Sequence, residues 1–247
     1  MLLKNKTAVI TGCNRGIGKA ILKTFARNGA DIFACARMES SDFTEMIDML
    51  TKATGVSITP IYFDLADAEQ VKQGAKTIIA SKKKIDALVN NAAVTSGGFF
   101  QMTSMQEMER VFKINFFAQI LLTQTLSRYM ARFKTGSIIN IGSTAGLIGA
   151  AGTVGYGSSK AALMYASKAM ATELGEANIR VNAIAPGITK TDMFDEMEVQ
   201  ARNKLIASAA LKRPAEAEEI ANVALFLASD LSTYVTGQVL RADGGYT

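Results

Sequence analysis

Short runs of apolar and β-branched residues alternate along the chain with longer segments in which apolar side chains recur at helical spacing. Such runs are typical of buried strands in parallel sheets, and the longer segments are typical of covering helices. Seven runs are predicted as strands, at residues 7–11, 31–36, 57–63, 85–90, 137–141, 179–185 and 237–241. This alternation predicts an α/β fold, a doubly wound seven-stranded parallel sheet with helices on both faces. Ligands of such sheets bind at the carboxyl ends of the strands.

The chain is long enough for a substantial core, with 247 residues and a hydrophobic content of 49%. Neither a linker nor a repeat of solenoid period interrupts the pattern, so we expect one domain over residues 1–247. The first residues carry lysines rather than a secretory signal, and no apolar run approaches the roughly 18 residues of a membrane span. We therefore expect a cytoplasmic protein that does not bind membranes.

Histidine is absent from the sequence, and cysteine occurs only as Cys13 and Cys35. This composition excludes the usual zinc sites and the Ser/His and Cys/His nucleophile systems, so we expect no metal. Acid–base chemistry must then use Tyr, Lys, Asp or Glu side chains. The basic residues behind the net charge of +5 are scattered rather than grouped in a stripe, which argues against a nucleic-acid partner.

A glycine-rich turn follows the first strand at residues 11–18 and opens a helical segment predicted over residues 19–28. Glycines there allow close approach of the backbone to a pyrophosphate, while the helix N-terminus supplies N–H groups. The spacing is GxxxGxG rather than the commoner GxGxxG. Its position directly after a strand predicts a Rossmann-type dinucleotide site. The expected cofactor-binding residues are Gly12, Asn14, Arg15, Gly16, Ile17 and Gly18.

The end of the second strand bears on the choice of dinucleotide. NAD-binding sites usually place an acidic residue there for the ribose 2′-hydroxyl, but this chain has Ala36 followed by Arg37. Arg37 and Arg15 can instead enclose a 2′-phosphate, so we expect NADP(H) to be preferred over NAD(H). The alternative is that Arg37 is an ordinary surface residue.

Polar residues also follow the third and fourth strands. Asp64, which precedes Leu65, can either cap the next helix or bind the adenine part of a nucleotide. The amides of Asn90 and Asn91 leave a buried strand and need partners, which are either neighbouring backbone groups or a ligand. We count Asp64, Leu65, Asn91 and Ala92 among the candidate cofactor-binding residues.

Three further residues are candidates for proton transfer. Ser143 follows the fifth strand, and Tyr156 precedes Lys160 by four positions, which places the phenol and the amine on one helix face. A nearby positive charge favours the phenolate and lowers a tyrosine pKa, so Tyr156 is a candidate proton donor near neutral pH. The spacing alone also fits an ordinary surface pair, and the serine alone fits a turn residue or cap.

Taken together, these motifs resemble those of the short-chain dehydrogenase/reductase family. The resemblance covers essentially the whole chain, and the motifs occur in the family's order. The matches are residues 11–18 (TGxxxGIG), 90–93 (NNAG, with Ala93 in place of the last glycine), Asn115 and Ser143 (catalytic asparagine and serine), Tyr156 with Lys160 (YxxxK), and Pro186, Gly187 and Thr191 (PGxxxT).

The resemblance implies roles for the matched residues. Tyr156 would be the general acid in reduction, and Lys160 would hold the nicotinamide ribose and lower the pKa of Tyr156. Ser143 would orient the substrate carbonyl, while Asn115 would anchor a water that links Lys160 to solvent. The resemblance also implies cofactor contacts from Tyr156, Lys160, Pro186, Gly187, Ile188, Thr189 and Thr191.

Within the family, the chain is most similar to 3-oxoacyl-(acyl carrier protein) reductases. Those enzymes show two basic residues near the site entrance, and the matching positions here are Lys134 and Ala177, so one charge is missing. We expect an NADPH-dependent reductase of 3-oxoacyl thioesters, with an acyl carrier protein as a possible partner. The alternatives are a sugar-derived, steroid-like or other small ketone, NAD-dependent alcohol oxidation, and a non-catalytic dinucleotide-binding protein.

Two further expectations concern the substrate pocket and the assembly. A mostly polar helical segment at about 190–210 resembles the family's substrate lid, and residues 97–100 are expected to form the opposite wall. The segment 103–130 and the Ala-rich helix after Lys160 are apolar around more of their circumference than one sheet face covers. With the family resemblance, this predicts a homotetramer.

Overall fold

The computed structural model describes residues 1–95 and 97–246. Its strands are β1 (Thr7–Thr11), β2 (Asp31–Ala36), β3 (Ile58–Tyr62), β4 (Ala87–Asn90), β5 (Gly136–Ile141), β6 (Ile179–Pro186) and β7 (Val239–Ala242). They form one sheet in the order β3-β2-β1-β4-β5-β6-β7, and every neighbouring pair is parallel. All seven predicted strands are present, with ends that differ from the prediction by at most two residues.

The helices that connect these strands cover both faces of the sheet. They are α1 (Gly16–Arg27), α2 (Ser41–Thr54), α3 (Ala68–Ala80), α4 (Met105–Phe112), α5 (Ala118–Met130), α6 (Val154–Leu174), α7 (Asp192–Asp195), α8 (Val199–Ser208) and α9 (Ala217–Ala228). The predicted fold class, a doubly wound Rossmann-type α/β domain, is therefore confirmed. None of the helices in the described residues is both long and apolar enough to cross a bilayer.

The strands divide their side chains between two cores because successive residues of a strand point to opposite faces. Ala8 and Ile10 of β1 pack in the core with α1, α2 and α9, whereas Val9 packs in the core with α3 and α5. All five residues of β1 are buried. Burial on both faces explains why this strand is a continuous apolar run that the sequence pattern identifies.

The strand order reverses between β1 and β4, which are neighbours in the sheet. The turn after β1 and the loop after β4 therefore leave the same edge and diverge, and such a point is where doubly wound sheets bind dinucleotides. The carboxyl ends of β5 and β6 lie at that edge too, since the sheet is parallel throughout.

Three features of the helices differ from the sequence expectation. Helix α1 begins at Gly16, inside the glycine-rich turn, and the segment predicted as the lid forms two helices, α7 and α8, rather than one. Between α4 and α5 the helical turns widen into a π-helical segment, Lys113–Phe117. An extra residue in a helical turn depends on tertiary contacts, so local sequence does not reveal it.

Candidate active site

The glycine-rich turn after β1 is shaped by contacts that exclude larger side chains. Gly12 and Gly16 adopt φ values of +69° and +52°, in the left-handed region that favours glycine. A Cβ at Gly18 would lie 2.0 Å from the carbonyl oxygen of Gly12 and 2.4 Å from the side-chain nitrogen Nδ2 of Asn91. Glycine at position 18 therefore lets α1 pack directly on the turn.

The amino-terminal end of α1 has the features of an anion site. Its N-cap residue, Arg15, makes no side-chain capping hydrogen bond, and the first turn contains no acidic residue. Backbone N–H groups at a helix N-terminus carry partial positive charge and bind phosphate groups. The turn thus fits the pyrophosphate of a dinucleotide. Within it, Asn14 is exposed at the surface, whereas Ile17 packs against the core.

Side chains of Thr11 and Asn91 tie the loop after β4 to this turn. The Thr11 hydroxyl accepts hydrogen bonds from the backbone N–H groups of Asn91 and Ala92, at 2.9 and 3.0 Å. The Asn91 amide donates to the carbonyl oxygens of Thr11 and Gly12, at 2.9 and 3.2 Å. Asn90 donates to two buried side chains at 2.8 Å each. The Asn91 amide therefore serves neighbouring backbone, one of the two predicted alternatives, whereas the Asn90 amide serves buried side chains, which neither alternative included.

Asp64 lies after β3 but does not cap the next helix. Asp67 does so instead, because its carboxylate accepts hydrogen bonds from the backbone N–H groups of Glu69 and Gln70. Asp64 closes a tight turn by accepting from the N–H of Ala66 at 2.8 Å. The capping interpretation of Asp64 is therefore wrong, since α3 begins too far along the chain. The neighbouring Leu65 is buried.

Two arginines lie exposed near the glycine-rich turn. Arg37 follows the buried end of β2, and no ion pair to it occurs among residues 1–95 and 97–246. Arg15 Nη1 lies 3.1 Å from a carboxylate oxygen of Asp192, at the start of α7. The sequence predicted that both arginines can enclose a 2′-phosphate, but nothing in it indicated the contact with Asp192.

Ser143, Tyr156 and Lys160 come together where β5 ends and α6 begins. The Ser143 hydroxyl accepts a hydrogen bond from the backbone N–H of Ala145 at 3.1 Å and so caps a short 3₁₀ turn. Helix α6 begins at Val154, which places Tyr156 in its first turn and Lys160 one turn later. Lys160 Nζ lies 5.9 Å from the centroid of the Tyr156 ring. A phenol, a hydroxyl and an amine thus share the carboxyl edge of the sheet.

The pKa of Tyr156 departs from the sequence expectation. Part of this side chain is exposed, yet the surrounding protein raises the pKa of its hydroxyl, and a hydrogen bond with Ser143 offsets only some of that effect. Lys160 does not lower the pKa, because its amine donates instead to the carbonyl oxygen of Ile141 at 2.6 Å. Lys160 is only 2% exposed, and burial lowers its own pKa to about 8. The prediction that this lysine lowers the pKa of Tyr156 is therefore wrong for the protein chain alone.

Asn115 lies in the π-helical segment and connects the loop after β4 to α6. Its fully buried amide accepts from the N–H of Val94 at 2.9 Å and donates to the Val94 carbonyl at 2.9 Å and the Ser159 hydroxyl at 3.1 Å. Ser159 in turn donates to the carbonyl oxygen of Tyr156 at 2.7 Å. Asn115 thus fixes the backbone that carries Tyr156, and π-helical segments often occur at functional sites.

Gln119 is a buried residue near the site that the sequence did not identify. It is 1% exposed, and its amide donates to the carbonyl oxygen of Ala92 at 2.8 Å. Its own oxygen has no hydrogen-bond partner among the described residues. The available indication was its position four residues after Asn115, which places both amides on one helix face.

The segment after β6 crosses the edge of the sheet toward the glycine-rich turn. A Cβ at Gly187 would lie 2.7 Å from Asp243 Cα, so glycine allows close packing there. The Thr189 hydroxyl donates to the Gly187 carbonyl at 3.0 Å. At the far end, a Cβ on Gly16 would lie 3.3 Å from the methyl group of Thr191. The segment that was expected to contact the nicotinamide therefore reaches from β6 to the start of α1.

Two large apolar side chains are exposed in the loop after β4. Phe99 and Phe100 are 69% and 71% exposed, and Gly98 lies beside Gly152 in the loop that leads into α6. The role of residues 97–100 as a wall of the substrate pocket stays a prediction. Helices α7 and α8, on the predicted lid, contain no buried residue.

Comparison with protein families places these features in a known group. The chain matches the family model described as Enoyl-(Acyl carrier protein) reductase over residues 12–247. It is 37% identical to the 3-oxoacyl-(acyl-carrier-protein) reductase FabG of Thermotoga maritima, over 99% of each chain. It is also 37% identical to the 3alpha-hydroxysteroid dehydrogenase of Mediterraneibacter gnavus, over 99% of this chain and 98% of that one.

A solved structure is similar over nearly the same length. It is described as an NAD(P) dependent gluconate 5-dehydrogenase from Beutenbergia cavernae with bound NADP at low occupancy. The two structures superpose with a TM-score of 0.91 at 32% sequence identity, covering 99% of this chain and 97% of the other. The similar proteins named above thus differ in their named substrates.

Proposed function

The chain belongs to the short-chain dehydrogenase/reductase family of NAD(P)-dependent oxidoreductases acting on CH–OH and C=O groups, and from this premise we propose an NADPH-dependent carbonyl reductase. The observation that carries the proposal is the grouping of Ser143, Tyr156 and Lys160 beside a turn that fits a dinucleotide. A non-catalytic dinucleotide-binding protein would have no need of a buried lysine beside a tyrosine and a serine.

In the proposed reaction, the bound nicotinamide supplies the hydride, and the protein supplies the proton and the positioning. Tyr156 donates its hydroxyl proton to the carbonyl oxygen as that oxygen gains charge. Ser143 donates a second hydrogen bond to the same oxygen. Asn115 fixes the backbone at Tyr156 through Ser159.

Lys160 holds the ribose hydroxyls of the cofactor through its amine in this proposal. Its pKa of about 8 keeps it mostly protonated at pH 7, so it remains a hydrogen-bond donor. The backbone of residues 186–191 faces the nicotinamide. Asp64 and Leu65 take the adenine end, and Asn91 and Ala92 lie between the two ends.

NADP(H) is the preferred cofactor because Arg37, rather than an acidic residue, directly follows β2. Ala36 leaves no carboxylate for a ribose 2′-hydroxyl, Arg37 is exposed and available to a 2′-phosphate, and Arg15 is exposed but contacts Asp192. The bound NADP in the similar structure supports this preference.

The proposed substrate is a 3-oxoacyl thioester, as in the reductases to which the chain is 37% identical. A hydrogen bond of 3.1 Å from Asn178 to the Lys134 carbonyl brings Lys134 near Ala177, and this pair of positions carries one of the two expected basic residues. Both positions precede strands, at the amino edge of the sheet rather than the carboxyl edge near Tyr156. That missing charge favours a second candidate, a steroid-like or sugar-derived ketone, which the hydroxysteroid and gluconate dehydrogenase similarities also support. The segment at about 190–210 acts as the substrate lid of a single domain over residues 1–247.

The direct test follows oxidation of NADPH, and separately of NADH, with an acetoacetyl thioester. We expect kcat/KM with NADPH to exceed that with NADH by at least about tenfold, the range that loss of one or two charged contacts produces. A chain that binds NADPH but leaves the thioester unchanged is then tested with steroid and sugar-derived ketones. Turnover there selects the second candidate, and no turnover of any ketone contradicts the reductase proposal.

A further inference from the structure

An ion pair joins the glycine-rich turn to the base of the lid. Arg15 is the N-cap of α1, and its guanidinium lies 3.1 Å from the carboxylate of Asp192, the first residue of α7. Both side chains remain more than half exposed, at 65% and 53%. This pair is therefore accessible to solvent and to a ligand approaching the turn.

The backbone beside Asp192 holds its carboxylate at this place. Thr191 lies against Gly16, and on its other side the segment is anchored where Thr189 pairs with Ala215. Lys190 also pairs with Glu216. These contacts fix the two residues before Asp192 at the turn, so the carboxylate is not a freely moving surface charge.

We propose that Asp192 is a specificity-determining residue that competes with the 2′-phosphate of the cofactor for Arg15. The inference rests on the proposed preference for NADP(H). A carboxylate and a phosphate are both anions that take paired hydrogen bonds from guanidinium, so one arginine fork cannot fully serve both. Binding of NADPH must break or weaken the Arg15–Asp192 contact, whereas NADH has no group that does so.

Asp192 consequently reduces the preference for NADPH. Its carboxylate occupies Arg15 before the cofactor binds, so the 2′-phosphate gains less from this arginine. Arg37, which has no ion-pair partner in the described part of the chain, is available to the phosphate in either case. Exposed ion pairs contribute at most about 1 kcal/mol, so the competition is limited to roughly fivefold in affinity.

The test is calorimetric binding of NADPH and of NADH to the native chain, Asp192→Asn and Asp195→Asn. Asp195 is the matched control, because it is an exposed carboxylate in the same short helix and forms no ion pair in the described structure. We expect Asp192→Asn to bind NADPH about threefold more tightly and NADH unchanged, and Asp195→Asn to match the native chain. The gain should shrink at high salt, which screens exposed charges.

A double-variant cycle distinguishes competition at Arg15 from a general loss of negative charge. In an Arg15→Gln background, Asp192→Asn should leave the affinity for NADPH unchanged, because the shared partner is gone. An equal gain in that background, an equal gain from Asp195→Asn, or a loss of NADPH affinity in Asp192→Asn would each overturn the inference.

The same measurements distinguish failure of the Asp192 role from failure of the proposed NADP(H) preference on which it rests. If the native chain binds NADPH no better than NADH and Arg37→Ala changes neither affinity, the proposed NADP(H) preference fails. If the native chain prefers NADPH and Arg37→Ala weakens that preference, but Asp192→Asn has no effect, only the role of Asp192 fails.

Discussion

Lys160 is a lysine kept at 2% exposure with one hydrogen bond, to the carbonyl oxygen of Ile141. Taking an ammonium group out of water favours its neutral form, which is why its pKa falls to about 8 from 10.5. A folded-state pKa below the unfolded value means that the unfolded chain binds more protons between these two pH values. Stability contributed by this position therefore rises with pH through that window and is lowest below about pH 8.

We predict that Lys160→Met removes this pH dependence. The free energy of unfolding of the native chain, relative to the variant, should rise by about 3 kcal/mol from pH 7 to pH 10.5, at about 1.4 kcal/mol for each unit of pKa difference. Urea unfolding of both chains at several pH values measures it, and titrations common to both cancel. A constant difference would show that the amine is solvated in the folded protein.

At the residue scale, motif residues were predictable and their electrostatics were not. Ser143, Tyr156 and Lys160 were chosen from spacing, and the fold brings them together. Burial raises the pKa of Tyr156, and the Lys160 amine points toward Ile141 rather than offsetting that effect; spacing encodes neither feature. Gln119 was missed because α5 contains several polar residues and no motif marks this one.

The packing of α1 on the glycine-rich turn makes the turn sensitive to a single methyl group. We predict that Gly18→Ala weakens NADPH binding at least about tenfold, because its Cβ would lie 2.0 Å from the Gly12 carbonyl oxygen and the backbone must move. The matched control is Gly175→Ala, since a Cβ there meets no atom within 4 Å. Calorimetry measures binding, and thermal unfolding reports whether each variant folds. Native-like affinity in a folded Gly18→Ala would contradict this account of the turn.

At the scale of elements, strands were predicted better than helices. Buried parallel strands are continuous apolar runs bounded by turns, so their ends were found to within two residues. The helix start at Gly16 was missed because glycine usually disfavours helix formation. Here glycine is required at position 18 because the backbone of Gly12 lies too close for a side chain. The π-helical segment Lys113–Phe117 arises within a stretch whose local pattern is simply helical.

The molecule as a whole leaves large apolar side chains in water on α6 and the neighbouring π-helical segment. Tyr165 is 75% exposed and Phe117 is 60% exposed. Exposed aromatic residues on adjacent helices are typical of surfaces that pair with another copy. They favour the homotetramer that the sequence and its family resemblance predict, which we propose for this chain.

We predict that light scattering gives the native chain four times the mass of its 26.4-kDa subunit. The double variant Phe117→Glu with Tyr165→Glu should give a smaller assembly, because like charges would face each other across a symmetric contact. Met49→Glu is the control, since Met49 is 65% exposed on α2, at the other face of the sheet. A monomeric native chain, or equal dissociation by the control, would contradict the prediction.

The central claim is that Tyr156 supplies the proton in a carbonyl reduction while other residues hold the cofactor. Tyr156→Phe removes one hydroxyl and keeps the ring that packs near Lys160, so it separates chemistry from binding. The decisive measurement compares NADPH affinity and ketone turnover in the native chain and this variant. We predict an NADPH dissociation constant within about threefold of native and a fall in kcat of at least about a hundredfold, the usual contribution of general acid catalysis. A variant that binds NADPH normally and still reduces the ketone at a native rate would show that Tyr156 is not the proton donor.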